Sequence, residues 1–283
     1  MHHVTLLTSV NTWECDENAH MNVQFYFAKF DDANRIFCSQ FPLSSLTRDN
    51  RLTRHVRYHR EAHAAAMIEI RSALVVQEGR PAGICHLMSN AADKTLMATA
   101  LDTYRLDALA QISAGPDLPA IDWSEVTEVH PRGLVVSPAT PSATSGHQTP
   151  TYNGILHPRD FAADGALLDR AYVSCFTDGA PHSWSAGGIT PAFLNSNNFG
   201  RVAVELKLTY GATPEPGAVV NMMTAFQNVG KTTFTVRHTL TSAGEIIAYG
   251  DLVSLMMDLE LRKAVALPME ADRMRQLAAS YQT

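Results

Sequence analysis

The chain has 283 residues, 46% hydrophobic and 18% charged, which fits one large folded domain or two modest ones and excludes a disordered chain. Its formal net charge of −6, with no Lys/Arg-rich run, argues against nucleic acid as a partner, because phosphate binding needs a concentrated basic face. No stretch reaches the ~18–20 apolar residues that span a bilayer, so no membrane partner is expected.

The opening residues lack a basic region followed by an apolar core, which is not the pattern of a signal peptide. A strand-like start leads into Trp13-Glu-Cys-Asp16-Glu-Asn-Ala-His20-Met-Asn22-Val-Gln-Phe-Tyr26. From there Val23, Tyr26, Phe27, Phe30 and Phe37 fall on one face of a 3.6-residue helix. Arg57-Tyr58 reads as strand, followed by Ala66 to Leu74, a run around His86, and Thr95 to Ala100, with turn residues between them. The Pro/Ser/Thr-rich stretch within 131–150 reads as a linker. Beyond it the pattern returns. Tyr58 and Tyr210, Ala66 and Ala218, and His86 and His238 are each 152 residues apart. Tyr26, Phe30 and Asp32 precede Tyr172, Phe176 and Asp178 by 146. Several blocks in one order make an internal duplication the simplest reading. The expected organisation is therefore a first repeat over 1–130, the linker over 131–150 and a second repeat over 151–283. Met269 to Thr283 reads as a short polar helix. The four cysteines (Cys15, Cys38, Cys85, Cys175) are widely spaced with no CxxC pair, as in a reduced, cytoplasmic chain.

The segment from Asp16 to Tyr26 resembles the strand-to-helix junction of the 4-hydroxybenzoyl-CoA thioesterase-like hotdog hydrolases, in which Asp, three residues, His, a small or apolar residue and Asn enter a central helix. Asp16, His20, Asn22 and Tyr26 fit that pattern, and Ala19 stands where glycine is common. The closing phrase Leu261 to Pro268 is also similar to the family's. The resemblance implies an α+β fold, a double hotdog in which each repeat wraps a curved antiparallel sheet around a long helix. It implies an acyl-CoA thioesterase with Asp16 as nucleophile or general base, the residues just after His20 as oxyanion donors, and His20 and Asn22 beside them. A helix N-terminus suits that chemistry, since its unpaired N–H groups and partial positive charge favour a developing oxyanion. Thiolate is a good leaving group, so no cofactor and no metal are required. An aspartate ahead of a helix is also a common N-cap, and a histidine there can satisfy a backbone group; the residues alone leave both readings open.

The second repeat replaces the motif: His20 corresponds to Ala166 and Asn22 to Leu168, which points to one working site per chain. Asp178, on the second helix, is the rival carboxylate. Asn195 to Asn198 is either a polar pocket wall or a plain turn. Trp13, Tyr26, Asp178 and Asn198 are the expected substrate contacts, and Arg54, Arg57, Arg60 and Lys207 are candidates for CoA phosphates. His55, His59 and His63 recur every four residues, but the strand pattern would scatter them, so no metal site is expected from the three together. Two other functions share this fold: a hotdog enoyl-CoA hydratase, whose Asp and His are separated by four residues where three separate Asp16 from His20 here, and a non-catalytic acyl-CoA-binding protein. Hotdog proteins often associate, so a homo-oligomer of the double unit is a further expectation.

Overall fold

Period-two alternation of apolar and polar residues after each helix-forming segment sets long antiparallel strands beside a single long helix, and it does so twice. The computed structural model describes residues 2–112, 115–134 and 147–280. Of the expected linker, residues 135–146 lie outside the described residues. The chain divides into two compact units. The first is Met1–Arg132 with Leu168–Arg170; the second is Gly133–Leu167 with Ala171–Thr283.

In the first unit, β1 (His3–Ser9) and α1 (Val23–Gln40) precede β2 (Arg51–Tyr58), β3 (Met67–Gln77), β4 (Arg80–Asn90) and β5 (Leu96–Tyr104), followed by the single-turn α2 (Leu106–Leu109) and β6 (Ala120–Asp122). The sheet order is β1-β3-β4-β5-β2, antiparallel at each step, with β6 added parallel to β3. Helix α1 starts where Asn22 caps it and stops at Phe41, whose extended backbone (φ −126°) is what a residue before proline prefers. Its inner face carries Phe27, Phe30 and Phe37, all fully buried. Burying each such ring contributes roughly 1.5–3 kcal/mol.

The second unit repeats this plan. After β7 (Thr149–Ile155) come α3 (Asp169–Ala186), α4 (Pro191–Asn197), β8 (Phe199–Tyr210), β9 (Val219–Val229), β10 (Thr233–Ser242), β11 (Glu245–Asp258), β12 (Lys263–Ala264) and α5 (Asp272–Ala279). The sheet order β7-β9-β10-β11-β8 is the first unit's order over again. Helix α3 lies so close to β11 that a Cβ on Gly250 would stand 2.5 Å from the Phe176 ring. Only glycine permits that approach.

The duplication extends to individual side chains. Register shifts interrupt β1 at Thr5 and β7 at Thr151. At these bulges Thr5 Oγ1 meets Ser72 Oγ at 2.8 Å, and Ser72 Oγ meets His86 Nδ1 at 2.7 Å. Thr151, Thr224 and His238 repeat the relay with both distances at 2.7 Å. Phe30 faces His86 as Phe176 faces His238, and the Tyr26–Tyr58 pair recurs as Tyr172–Tyr210. Burial lowers the affinity of both imidazoles for a proton, pushing His238 down to about 4.

The first unit also buries a charge cluster. Arg54 Nε donates to Asp102 Oδ1 at 2.7 Å and Arg54 Nη1 to Asp169 Oδ2 at 2.7 Å, while Arg51 Nη2 donates to Asp169 Oδ1 at 2.6 Å. Asp31 faces Arg51 and Arg48. Burial would raise the Asp102 carboxyl, but Arg54 and Arg51 outweigh it and hold the group well below the usual carboxylate range. This corrects the reading of Arg54 as a phosphate contact: it is fully buried and already paired. Arg57, also buried, donates to the His130 carbonyl, and Lys207 is buried near Asp251. Of the four candidates Arg60 alone is exposed.

Candidate functional site

The segment between β1 and α1 is built by short-range backbone bonds. Asn11 N–H donates to Glu14 Oε2 at 2.8 Å, closing a 3-10 turn over Thr12–Glu14. The chain then doubles back: Asp16 N–H donates to the His20 carbonyl at 2.8 Å, Ala19 N–H to the Asp16 carbonyl at 3.0 Å, and Cys15 bridges Met21. Closing so tight a loop puts Ala19 in the left-handed region, at φ 60°. That conformation is why glycine suits the position.

Asp16 is held at the bend. Its Oδ1 accepts from Asn18 N–H at 2.9 Å and from His20 N–H at 3.2 Å. Asn22 caps α1, its Oδ1 accepting from Gln24 N–H at 3.1 Å. The amides expected to face an oxyanion are largely committed: Met21 N–H goes to the Ala62 carbonyl and Asn22 N–H to the Glu14 carbonyl. Among the described residues, Val23 N–H is the amide of this stretch that makes no such bond. At the first position of α1 it also carries the helix's partial positive charge.

Tyr26 lies under the loop. It is buried, its hydroxyl accepts from Ala62 N–H at 3.1 Å, and burial pushes its pKa up to about 12. Trp13, in the preceding turn, is 75% exposed. The first unit thus brings Asp16, His20, Asn22 and Tyr26 together, with Trp13 beside them. Asp178 and Asn198 belong to the second unit. Asp178 is exposed on α3, with partial burial raising its carboxyl. Asn198 ends α4 in the left-handed conformation, φ 54°, where its backbone N–H closes the last turn. Asparagine tolerates that conformation well.

Sequence reasoning missed the ion pair that anchors the loop. Lys29, buried on α1, donates to Glu14 Oε1 at 2.8 Å and to the Ser9 carbonyl at 3.2 Å. The signal was present, since Lys29 sits on the helix face of Tyr26, Phe30 and Ala33, where a cation needs a partner. Glu61 and His63 were missed as neighbours of His20, because their approach depends on chain pairing between segments about forty residues apart.

Residues 10–106 match the model of the thioesterase-like superfamily. Among solved structures, the chain is similar to a provisionally assigned oleoyl thioesterase from Lactobacillus plantarum, at 11% identity and TM-score 0.61, covering 90% of this chain and 96% of that one. It is similar also to an acyl-ACP thioesterase from Bacteroides thetaiotaomicron, at 12% identity and TM-score 0.60, with 89% and 97% covered. The 12:0-ACP thioesterase of Umbellularia californica matches at 12% identity and TM-score 0.53, with 88% and 92% covered. No curated protein matches the chain in sequence. Each unit is a hotdog domain.

The second hotdog serves as an internal comparison for the loop. Ala162 N–H donates to the Ala166 carbonyl at 2.9 Å and Gly165 N–H to the Ala162 carbonyl at 2.9 Å, while Phe161 bridges Leu167. Gly165, at φ 85°, takes the place of Ala19. Ala162 therefore stands where Asp16 does, and Ala166 where His20 does. The amide that Asp16 binds at His20 is served here by Asp164 Oδ1, at 3.1 Å from Ala166 N–H. The second hotdog forms this loop with alanine at the position of Asp16.

Proposed function

We propose that the chain is an acyl thioesterase that hydrolyses an acyl-CoA through Asp16. The observation that carries this reading is the placement of Asp16 at the mouth of α1. One carboxylate oxygen is fixed by two loop amides, and the uncommitted Val23 N–H opens the adjacent helix. Oδ2 of Asp16 is then the reacting oxygen. Either it removes a proton from a water whose oxygen adds to the thioester carbonyl carbon, or it adds to that carbon itself. The carbonyl oxygen gains negative charge toward the Val23 amide and the helix N-terminus. Collapse of the tetrahedral intermediate breaks the C–S bond, and the thiolate leaves to be protonated. In the nucleophilic variant water then hydrolyses the Asp16 anhydride. His20 positions Asp16 through its backbone, Asn22 holds the helix start, and Tyr26 supports the loop from below. Trp13 offers an exposed ring to the acyl chain or the pantetheine arm.

One observation favours a second carrier. Two of the matched structures are named as acyl-ACP thioesterases, and three of the four basic residues that are candidates for CoA phosphates are buried. The experiment is thiol release from a panel of acyl-CoA and acyl-ACP substrates, with wild type beside Asp16→Asn and Asp178→Asn. Asparagine keeps an acceptor for the Asn18 and His20 amides, so the loop persists. Hydrolysis of at least one substrate should fall by about 100–10,000-fold in Asp16→Asn and stay at the wild-type rate in Asp178→Asn. Full activity in Asp16→Asn would overturn the assignment of the carboxylate, and the absence of any hydrolysis by wild type would overturn the thioesterase.

A further inference from the structure

Beside the Asp16 loop, chain pairing gathers three metal-ligating side chains. His20 and His63 are partners in an antiparallel bridge, and Met21 N–H donates to the Ala62 carbonyl at 2.7 Å. Directly opposed residues in such a pairing project their side chains to one side. The two imidazoles meet edge to face with centroids 4.7 Å apart. Glu61 Oε2 lies 3.4 Å from His20 Nε2. One nitrogen from each histidine and one Glu61 oxygen all fall within 4.8 Å of one another.

We propose that His20, Glu61 and His63 bind a divalent transition-metal ion, zinc by the character of the donors, with water as the fourth ligand. Two imidazoles and a carboxylate are a common protein donor set for zinc. Bonds of about 2.0–2.1 Å to zinc in tetrahedral geometry place neighbouring donors roughly 3.3 Å apart. His20 and Glu61 already stand at that spacing. His63 is exposed, so its ring has room to turn by the remaining ångström or so. The backbone bridge fixes two of the ligands before any ion arrives, which reduces the cost of ordering them. His55 and His59 take no part, because they lie on or just past β2 rather than opposite the loop. The site goes beyond the thioesterase reading and does not depend on it, since its ligands are defined by geometry alone.

The test is titration of chelator-stripped protein with zinc chloride, followed by calorimetry and by competition against a chromophoric chelator. Wild type is compared with His63→Ala and Glu61→Gln. Wild type should take up one zinc per chain and melt at a higher temperature with zinc than without it. Loss of an inner ligand should cost at least the about 10–100-fold in affinity that outer-shell changes cost. Both variants should therefore lose the zinc-dependent rise in melting temperature while melting like wild type in its absence. A wild type that binds no zinc would overturn the site. So would stoichiometric binding that survives in His63→Ala, since the ion would then be held elsewhere.

Discussion

At Ala19 the backbone adopts φ 60° with a side chain that gains nothing from it, because the residue is exposed and its Cβ packs against no core. A left-handed conformation costs a non-glycine residue about 1–2 kcal/mol, and glycine gives back part of that relief through its looser unfolded state. Ala19→Gly should therefore stabilise the chain by about 0.5–1 kcal/mol, read as a raised urea midpoint with an unchanged m-value. Gly165, at φ 85° in the second unit, is the natural version of that substitution. The spacing of Asp16, His20 and Asn22 and the departure at Ala19 were both visible in the sequence. What the side chains bind was not. Asn22 turns out to be a helix cap, and the amides of Met21 and Asn22, expected to face an oxyanion, are already committed to carbonyls. Those bonds depend on Ala62 and on Glu14, whose positions follow from the closed loop rather than from any local pattern.

Helix α1 illustrates what an element discloses and what it conceals. Its apolar face was legible because Tyr26, Phe27, Phe30 and Phe37 recur at helical spacing, and the structure buries all four. The same face buries Lys29 against Glu14, and this ion pair ties the helix to the turn that precedes Asp16. Removing one partner of such a pair strands the other charge away from water, which costs about 3–5 kcal/mol, whereas replacing both by neutral groups of similar shape is often close to neutral. Lys29→Met should thus destabilise the chain strongly, and adding Glu14→Gln should recover most of the loss. Chemical denaturation of the two single variants and the double variant provides the coupling. The cluster of Arg51, Arg54, Asp31, Asp102 and Asp169 follows the same physics. It was not legible because its members come from segments far apart in sequence, and a lone arginine in a strand looks like a solvated one.

Across the whole molecule the most readable feature was the duplication, since repeated order and offset need no knowledge of contacts. The buried histidines it contains make a pH dependence. His238 is pushed down to about 4 by burial, and burial lowers His86 as well, while an unfolded chain takes up these protons near pH 6.5. The native state keeps the His238 imidazole neutral, so its contribution is complete above about pH 6.5 and is lost as the pH falls toward 4. Between pH 7 and pH 5, where most carboxylates remain ionised, His238 alone should cost on the order of 2 kcal/mol of stability. Urea midpoints at the two pH values measure it, and His238→Gln should flatten the dependence. An equal midpoint at both pH values in wild type would contradict the burial of a neutral imidazole.

The two copies of the loop keep the same main-chain bonds while sharing few of their polar side chains. Shape and chemistry are therefore carried by different atoms, and a mutation can reach one without the other. Once a chain carries the fold twice, drift can change the side chains of one bend at no cost to its architecture. The same separation lets new side chains be placed at Ala162 and Ala166 on a bend whose main-chain bonds are already formed.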